Sequence, residues 1–429
     1  MVNRTILKRA FVHLYKNPLI SGSAVIFIGS FVANLLSYFF NLLLGRFLTV
    51  SDYGTYATLI SVLGLFGIFP SAFTQIFAKF SAVYKAKGDV GKTKTLFVLG
   101  FRVIVVFATV LLLILTLSIF NIASFLHISD VFLLLLVFFA IFLSIIGSLP
   151  VGVLQGELRV YTLALVSIST PLFKIIIGFI LLFLGLQVFG VTLAIITSSL
   201  LTMSILFIVF RSNFTNQKIT KTNQSLFLRE FKKYSFRFFL AALGITILTG
   251  IDMIFVKHFF SPVQAGQYAA LSLMGRSIFY ITAPIYAVFF PLIAQKQERN
   301  ENIHSTLLLA ISIITIGTVV LSFVYFLFPT LILNVFYPAP EYKELIKYLG
   351  PFSLYIIIFS IAMLFNSFLL SIGKASVYKI NLLVAGIFIV LMYVFHNSFY
   401  QLIGVLFFTA LLLLVSQVLY YLSTIYGKK

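Results

Sequence analysis

Residues able to do chemistry are few in this chain. The stretch AKGDVGKTK, Ala86 to Lys94, carries the Gly-Lys-Thr that closes a phosphate-binding loop. Ala86 stands where the first glycine belongs, however, and the stretch joins two apolar runs with no strand before it, so nucleotide hydrolysis is not expected. The five histidines are scattered, without an H-E-x-x-H and without a pair four residues apart, which leaves a metal site unsupported. Cysteine is absent, and with it disulfides, thiolate nucleophiles and soft-metal ligands. What remains is a small set of polar side chains inside long apolar stretches: Lys174, Asp252 and Arg276, with Asn34, Asn41, Gln75 and Asn366. A charge within the hydrocarbon region ordinarily faces a cavity or a partner. These residues therefore form the candidate site. Their chemistry is binding and passage rather than bond-breaking, so no enzyme, no catalytic residue and no metal is expected.

The elements that position them follow from composition. With 61% hydrophobic residues, 9% charged and a mean hydropathy of +1.13, only a bilayer can cover this surface. Apolar runs of about 20 residues, the length that crosses the hydrocarbon as a helix, fall near 20–45, 54–78, 96–120, 130–154, 161–184, 188–210, 238–258, 267–292, 306–328, 348–370, 377–395 and 400–424. The expectation is an all-α polytopic protein of about twelve spans. Residues 1–19 read as a cytoplasmic segment, retained because no A-x-A-like cleavage site follows it. Spans one to six then occupy 20–210, a basic linker 211–237, spans seven to twelve 238–424, and a short tail 425–429.

Charge alternates along the loops. Among the basic residues outside the spans, only Arg46, Lys257, Lys343 and Lys347 fall on one set of loops, and the rest fall on the other. The positive-inside rule then puts both termini in the cytoplasm. A net charge of +20 is in this way a topology signal and an attraction to anionic headgroups, not a nucleic-acid footprint. Without Trp, tyrosines near span ends, Tyr53, Tyr161, Tyr268, Tyr342, Tyr400, Tyr420 and Tyr421, are expected to form the interfacial belt. Arg46 and Lys257 read as headgroup anchors, and Arg102 as a residue that snorkels inward.

The halves repeat. Gly54-Thr55-Tyr56-Ala57 matches Gly266-Gln267-Tyr268-Ala269; Gly156-Glu157-Leu158-Arg159-Val160-Tyr161 matches Gly373-Lys374-Ala375-Ser376-Val377-Tyr378; Gly190-Val191 matches Gly404-Val405. Three pairs in order at a nearly constant offset indicate duplication. A six-span unit enters and leaves on one side, so two such units form parallel lobes about an axis along the membrane normal, an arrangement that rocks about a central cleft.

At these residues the chain resembles a family. LLLGRFLTVSDYGTYATLISVLGLFGIFPSAFTQIFAKFSA is similar to the opening signature of the polysaccharide-export flippases, the Wzx-like branch of the MOP superfamily, with a Gly-x-Tyr and a mid-helix break in the second span. VLQGELRVYTLALVSISTPLFKIIIGFILLFLGLQVFGVTLA, IDMIFVKHFFSPVQAGQYAALSLMGRSIF, AVFFPLIAQ and LSIGKASVYKINLL resemble its later segments. The resemblance implies a MATE-like fold. It implies transfer of a polyprenyl-pyrophosphate-linked oligosaccharide from the inner to the outer leaflet of a bacterial or archaeal cytoplasmic membrane by alternating access, for surface polysaccharide such as O-antigen or capsule. Its partners would be the lipid-linked oligosaccharide, membrane lipids and a glycan polymerase, with no nucleic acid and no cofactor, and a proton or sodium gradient or the membrane potential would drive it. The related lipid II flippases place an arginine in the middle of the first span, where this chain has Asn34 and Asn41. A drug or cation antiporter of the same superfamily is the alternative, followed by a membrane glycan polymerase or ligase, which would need a sizeable outer loop.

Depth sorts the candidates. Lys174 lies about 13 residues, about 20 Å, from the inner end of its span. Asp252 and Arg276 lie about six and nine residues from the outer ends of theirs, close enough in depth to pair. Two readings stay open: Lys174 and Arg276 line the cleft for a pyrophosphate with Asp252 as counter-charge or proton-coupling group, or Asp252 and Arg276 form a structural bridge. Glu157 and Arg159 flank an inner turn as a gate or a solvated loop. Asn34 and Asn41 share a helix face, and they, with Gln75 and Asn366, can bond sugar hydroxyls or neighbouring helices. Pro70, Pro171 and Pro284 are placed to kink spans.

Overall fold

The structure, a computed structural model, describes residues 18–86, 90–214, 239–299, 301–374 and 376–426. The N-terminal segment up to residue 17, most of the basic linker (215–237) and the last three residues of the tail lie outside them. The described residues form sixteen α-helices. In the first half these are α1 Pro18–Phe47, α2 Val50–Phe66, α3 Ile68–Ala86, α4 Val90–Leu117, α5 Ile119–Phe125, α6 Val131–Gly156, α7 Val160–Phe183 and α8 Gln187–Phe214. In the second they are α9 Phe239–Gly250, α10 Asp252–Phe259, α11 Pro262–Glu298, α12 Ile303–Leu327, α13 Pro329–Phe336, α14 Ile346–Ser371, α15 Val377–Val394 and α16 Phe399–Tyr426. A 3₁₀ turn, Pro340–Leu345, precedes α14.

Among the described residues, ten helical segments, with α2 and α3 taken together, are long and apolar enough to cross a membrane. The pair α9 and α10, bent by 45°, makes an eleventh. The slot of the eighth expected span is filled by α11, whose 37 residues reach about 55 Å at 1.5 Å per residue. This is a multi-pass, all-α membrane protein.

Local chemistry sets the ends. Thr49 caps α2, its hydroxyl oxygen accepting from the Asp52 amide at 3.2 Å, and Asp52 places a negative charge in the first turn. Ser261 and Gln264 form a capping box on α11, with Pro262 in the first turn. The expected break in the second span falls at Gly67, between α2 and α3; Pro70, which has no amide to donate, lies just beyond it. A break not expected from the sequence separates α9 from α10 at Ile251, next to Gly250 and Asp252.

The chain divides into two compact units. The first comprises residues 1–40, 69–121 and 130–236. In it α6 lies against α3 through glycines: a methyl at Gly152 would sit 2.6 Å from the Thr74 carbonyl oxygen, and one at Gly156 2.8 Å from Ser81 Cβ. Close helix approach through small residues is how spans pack where lipid is as apolar as leucine. Thr74 and Ser81 hydroxyls donate to the carbonyls of Ser148 and Val153 across the same contact, each at 3.3 Å. Val153, Leu154, Leu163, Val166 and Leu206 form the core there.

The second unit comprises residues 41–68, 122–129 and 237–429. One core cluster of this unit holds Phe289, Ile293, Ile314, Leu364, Phe365 and Phe368, where α11, α12 and α14 meet. Elsewhere in this unit the two copies of Gly-x-Tyr-Ala pack on each other. A methyl on Gly54 would lie 2.5 Å from the Gly266 backbone nitrogen, and one on Gly266 would collide with the Val50 carbonyl oxygen. Only glycine permits this backbone contact between α2 and α11. The segment 329–345 folds over the neighbouring helix ends: Arg46 donates to the carbonyls of Val335 and Phe336 at the C-terminus of α13, Tyr342 donates to the Gly45 carbonyl at 3.1 Å, and Tyr53 and Tyr337 hydroxyls lie 3.1 Å apart.

These contacts correct several expectations. Tyr53, Tyr268 and Tyr342 are 2%, 0% and 1% exposed, so they belong to the core and not to an interfacial belt, whereas Tyr161 and Tyr400 are exposed as a belt requires. Lys257, expected as a headgroup anchor, is buried, its ammonium donating to Thr55 Oγ1 at 3.0 Å, while exposed Arg46 caps the C-terminus of α13. Overpacking predicts that Gly266→Val destabilises the protein by about 1–3 kcal/mol or more. Gly317→Ala, where a methyl meets nothing within 4 Å, is neutral or stabilising by up to about 1 kcal/mol. Thermal melts of the detergent-purified variants measure both.

Candidate functional site

The bend between α9 and α10 presents Asp252 at the start of α10, where the helix dipole favours a negative charge. Its carboxylate is 2% exposed and accepts three hydrogen bonds. Arg276 Nη2, from α11, donates to both oxygens at 3.1 and 2.9 Å, and Tyr268 Oη donates to Oδ2 at 2.8 Å. The structure thus brings Asp252 and Arg276 together as the shared depth predicted. Tyr268 is the member that sequence reasoning missed, having been assigned to the interface. Its signal was the repeat, since the Tyr of Gly-x-Tyr-Ala follows the glycine that meets α2. In the first half the residue sixteen positions before Tyr56 is the apolar Phe40, and Tyr56 Oη has no hydrogen-bond partner among the described residues.

Lys174 is different. It sits on α7 in the first unit, partly buried, its ammonium 5.0 Å from the centroid of the Phe40 ring. Phe40 is itself fully buried and packs edge-on against Phe179, while Gly178 on α7 leaves room for its ring. Among the described residues no carboxylate pairs with Lys174. A cation over a ring face is held by the quadrupole while its charge stays uncompensated. Among the described residues, Lys174 is thus an intramembrane cation without a carboxylate to neutralise it.

The amides divide. Asn366 on α14 is buried and accepts from Asn381 Nδ2 at 2.9 Å, and Asn381 Oδ1 accepts from Gln417 Nε2 at 3.2 Å. This row joins α14, α15 and α16, and Gln417 Oε1 ends it without a partner among the described residues. Asn366 therefore knits helices together. Asn34 on α1 and Gln75 on α3 are exposed, and Asn41 is partly buried. At the turn after α6, Arg159 Nε lies 2.8 Å from Glu157 Oε2, and Lys85 donates to the Glu157 carbonyl, which ties the turn to the end of α3. Glu157 and Arg159 are paired with each other. His304 and Tyr421 meet at 3.1 Å between α12 and α16, a contact no spacing rule signalled.

Comparison with known proteins places the chain. A family model described as polysaccharide biosynthesis protein matches residues 19–297. Among solved structures, an inward-facing multidrug resistance MATE family transporter of the MOP superfamily superposes with a TM-score of 0.75 at 13% identity, over 92% of this chain and 93% of that one. Lipid II flippase MurJ in its inward closed conformation gives 0.71 at 18% identity, over 94% and 87%. A MOP superfamily transporter from Pyrococcus furiosus gives 0.58 at 13% identity, over 95% and 96%. No curated protein sequence matches. The fold is that of the MOP superfamily.

Breaking a buried pair from one side leaves an uncompensated charge. Asp252→Asn is predicted to lower stability by about 3 kcal/mol, at the bottom of the range for buried pairs because Arg276 is 32% exposed. The double variant Asp252→Asn, Arg276→Gln recovers part of that loss. Denaturation of the four proteins in a double-mutant cycle checks both statements.

Proposed function

The chain belongs to the polysaccharide biosynthesis protein family, and from that premise we propose that it is a flippase for a polyprenyl-pyrophosphate-linked oligosaccharide. It carries its cargo from the inner to the outer leaflet of the cytoplasmic membrane by alternating access, with both termini in the cytoplasm. The observation that carries the reading is Lys174, a partly buried membrane cation held over an aromatic ring and paired with no carboxylate among the described residues. In a low-dielectric setting such a charge attracts an anion far more strongly than in water, and the pyrophosphate is the anionic part of this cargo. Arg276, held by Asp252, contributes less net field, and exposed Asn34 and Gln75 are suited to sugar hydroxyls. Outward movement of each negative charge down an inside-negative potential is favourable by about 2.3 kcal/mol per 100 mV. A membrane potential can therefore drive the step, and coupling to protons or sodium would add to it.

The likeness to a multidrug MATE transporter supports a second reading, export of a small cation in exchange for an ion. An uncompensated lysine opposes cationic cargo, so this reading ranks lower.

Removing the protein from its host is expected to strand a complete lipid-linked repeat unit on the inner leaflet, seen by mass spectrometry with a membrane-impermeant probe. A unit stranded on the outer leaflet would favour a polymerase or ligase, and no accumulation would favour the antiporter. Loss of a charged contact is worth about 1.5–3 kcal/mol. Lys174→Met should therefore slow appearance of the unit outside by about ten- to a hundredfold, while Lys174→Arg retains most of the rate.

A further inference from the structure

The fold assembles something the sequence disperses. His127 in the turn after α5, His258 near the end of α10 and His396 in the turn between α15 and α16 form one stacked ladder with aromatic rings, all within the second unit. Phe125 lies on His258 with centroids 4.0 Å apart and planes within 10°. His127 stands 5.6 Å from His258 at 24°. Phe259 touches His258 edge-on at 4.6 Å and stacks on His396 at 3.7 Å and 15°, with Tyr393 packed on both.

Hydrogen bonds fix two of the three tautomers. His258 Nδ1 is 2.6 Å from the Phe125 carbonyl oxygen, and His396 Nδ1 is 2.6 Å from that of Tyr393. A carbonyl only accepts, so both Nδ1 atoms carry their hydrogen and Nε2 is where a further proton binds. The His258 bond also ties the turn after α5, from the first half of the sequence, to α10 in the second.

The carboxylates on the neighbouring elements have partners other than the histidines. Asp130, beyond His127, accepts from the Phe132 amide at 3.0 Å. Asp52, on α2, accepts from Thr49 Oγ1 at 2.7 Å and faces Lys257 electrostatically. Asp252, at the other end of α10, is held by Arg276 and Tyr268. No acidic residue stands in the first turn of α11, and Tyr393 is the titratable group that α15 brings. Lys257, beside His258, is a cation. Protonation thus adds up to three like charges to one ladder, and among the described residues no carboxylate forms an ion pair with any of the three histidines.

We propose that His127, His258 and His396 form a proton-responsive clasp: neutral imidazoles keep it closed, and protonation loosens the turn after α5 from α10 and the α15–α16 turn. On the loops that the basic-residue asymmetry puts outside, the clasp responds to external pH. The proposal does not depend on the cargo.

The natural absence of cysteine makes the test direct. Ser124→Cys and Asn397→Cys, both at exposed positions flanking the ladder, carry nitroxide labels on the full chain in detergent, and their separation is read by pulsed electron paramagnetic resonance at pH 8 and pH 5. One short population at pH 8 should give way reversibly to a second, longer one at pH 5. His127→Gln, at an exposed and therefore forgiving position, should reduce the change, and His258→Phe should abolish it. Identical distributions at both pH values would overturn the proposal, as would a pH response that persists when all three histidines are phenylalanine. A ladder that shortens at pH 5, as cation–π attraction alone would produce, overturns it too.

Discussion

One backbone contact organises the second unit. Where α2 and α11 cross, Gly54 faces the Gly266 amide and Gly266 faces the Val50 carbonyl, at a separation that any side chain would prevent. Everything adjacent depends on that approach. Tyr56 and Tyr268 are driven into the core beside the crossing, Lys257 reaches Thr55, and Tyr268 reaches Asp252. The same motif thus recurs in the two halves because each copy is the other's packing partner. Duplication supplied two glycines, and the crossing needs both.

Charge is distributed unequally around this frame. The second half places an aspartate at a helix bend and neutralises it with Arg276 and Tyr268, whereas the first half has Phe40 at the corresponding position and sets Lys174 over its ring. A neutralised pair strengthens packing, while an uncompensated cation is costly unless something anionic visits it. The asymmetry between repeats separates what holds the protein together from what is proposed to hold its cargo.

Much of this was legible in the sequence, for definite reasons. Long apolar runs announce helices in lipid because the hydrocarbon leaves the backbone no other way to satisfy its hydrogen bonds, so the spans and the break near Pro70 could be read directly. The Asp252–Arg276 pair was legible because depth along a helix follows from residue count. Burial was not legible: Tyr53, Tyr268 and Tyr342 have the composition and position of interfacial tyrosines, and only the folding of segment 329–345 and the glycine crossing put them inside. The bend at Ile251 was missed because one glycine before an aspartate is too common to mark a break. The histidine ladder was missed because its members come from three distant turns, and no periodicity records contacts of that kind.

The central claim is that this chain alone moves an anionic lipid-linked oligosaccharide across a bilayer. Its most direct test reconstitutes the purified protein in sealed vesicles whose labelled polyprenyl-pyrophosphate oligosaccharide is confined to one leaflet, and follows its accessibility to an impermeant lectin under an imposed potential. The account predicts protein-dependent transfer to the opposite leaflet, faster when that side is positive. A leaflet distribution that stays as prepared, with the protein shown to be folded and inserted, would contradict it.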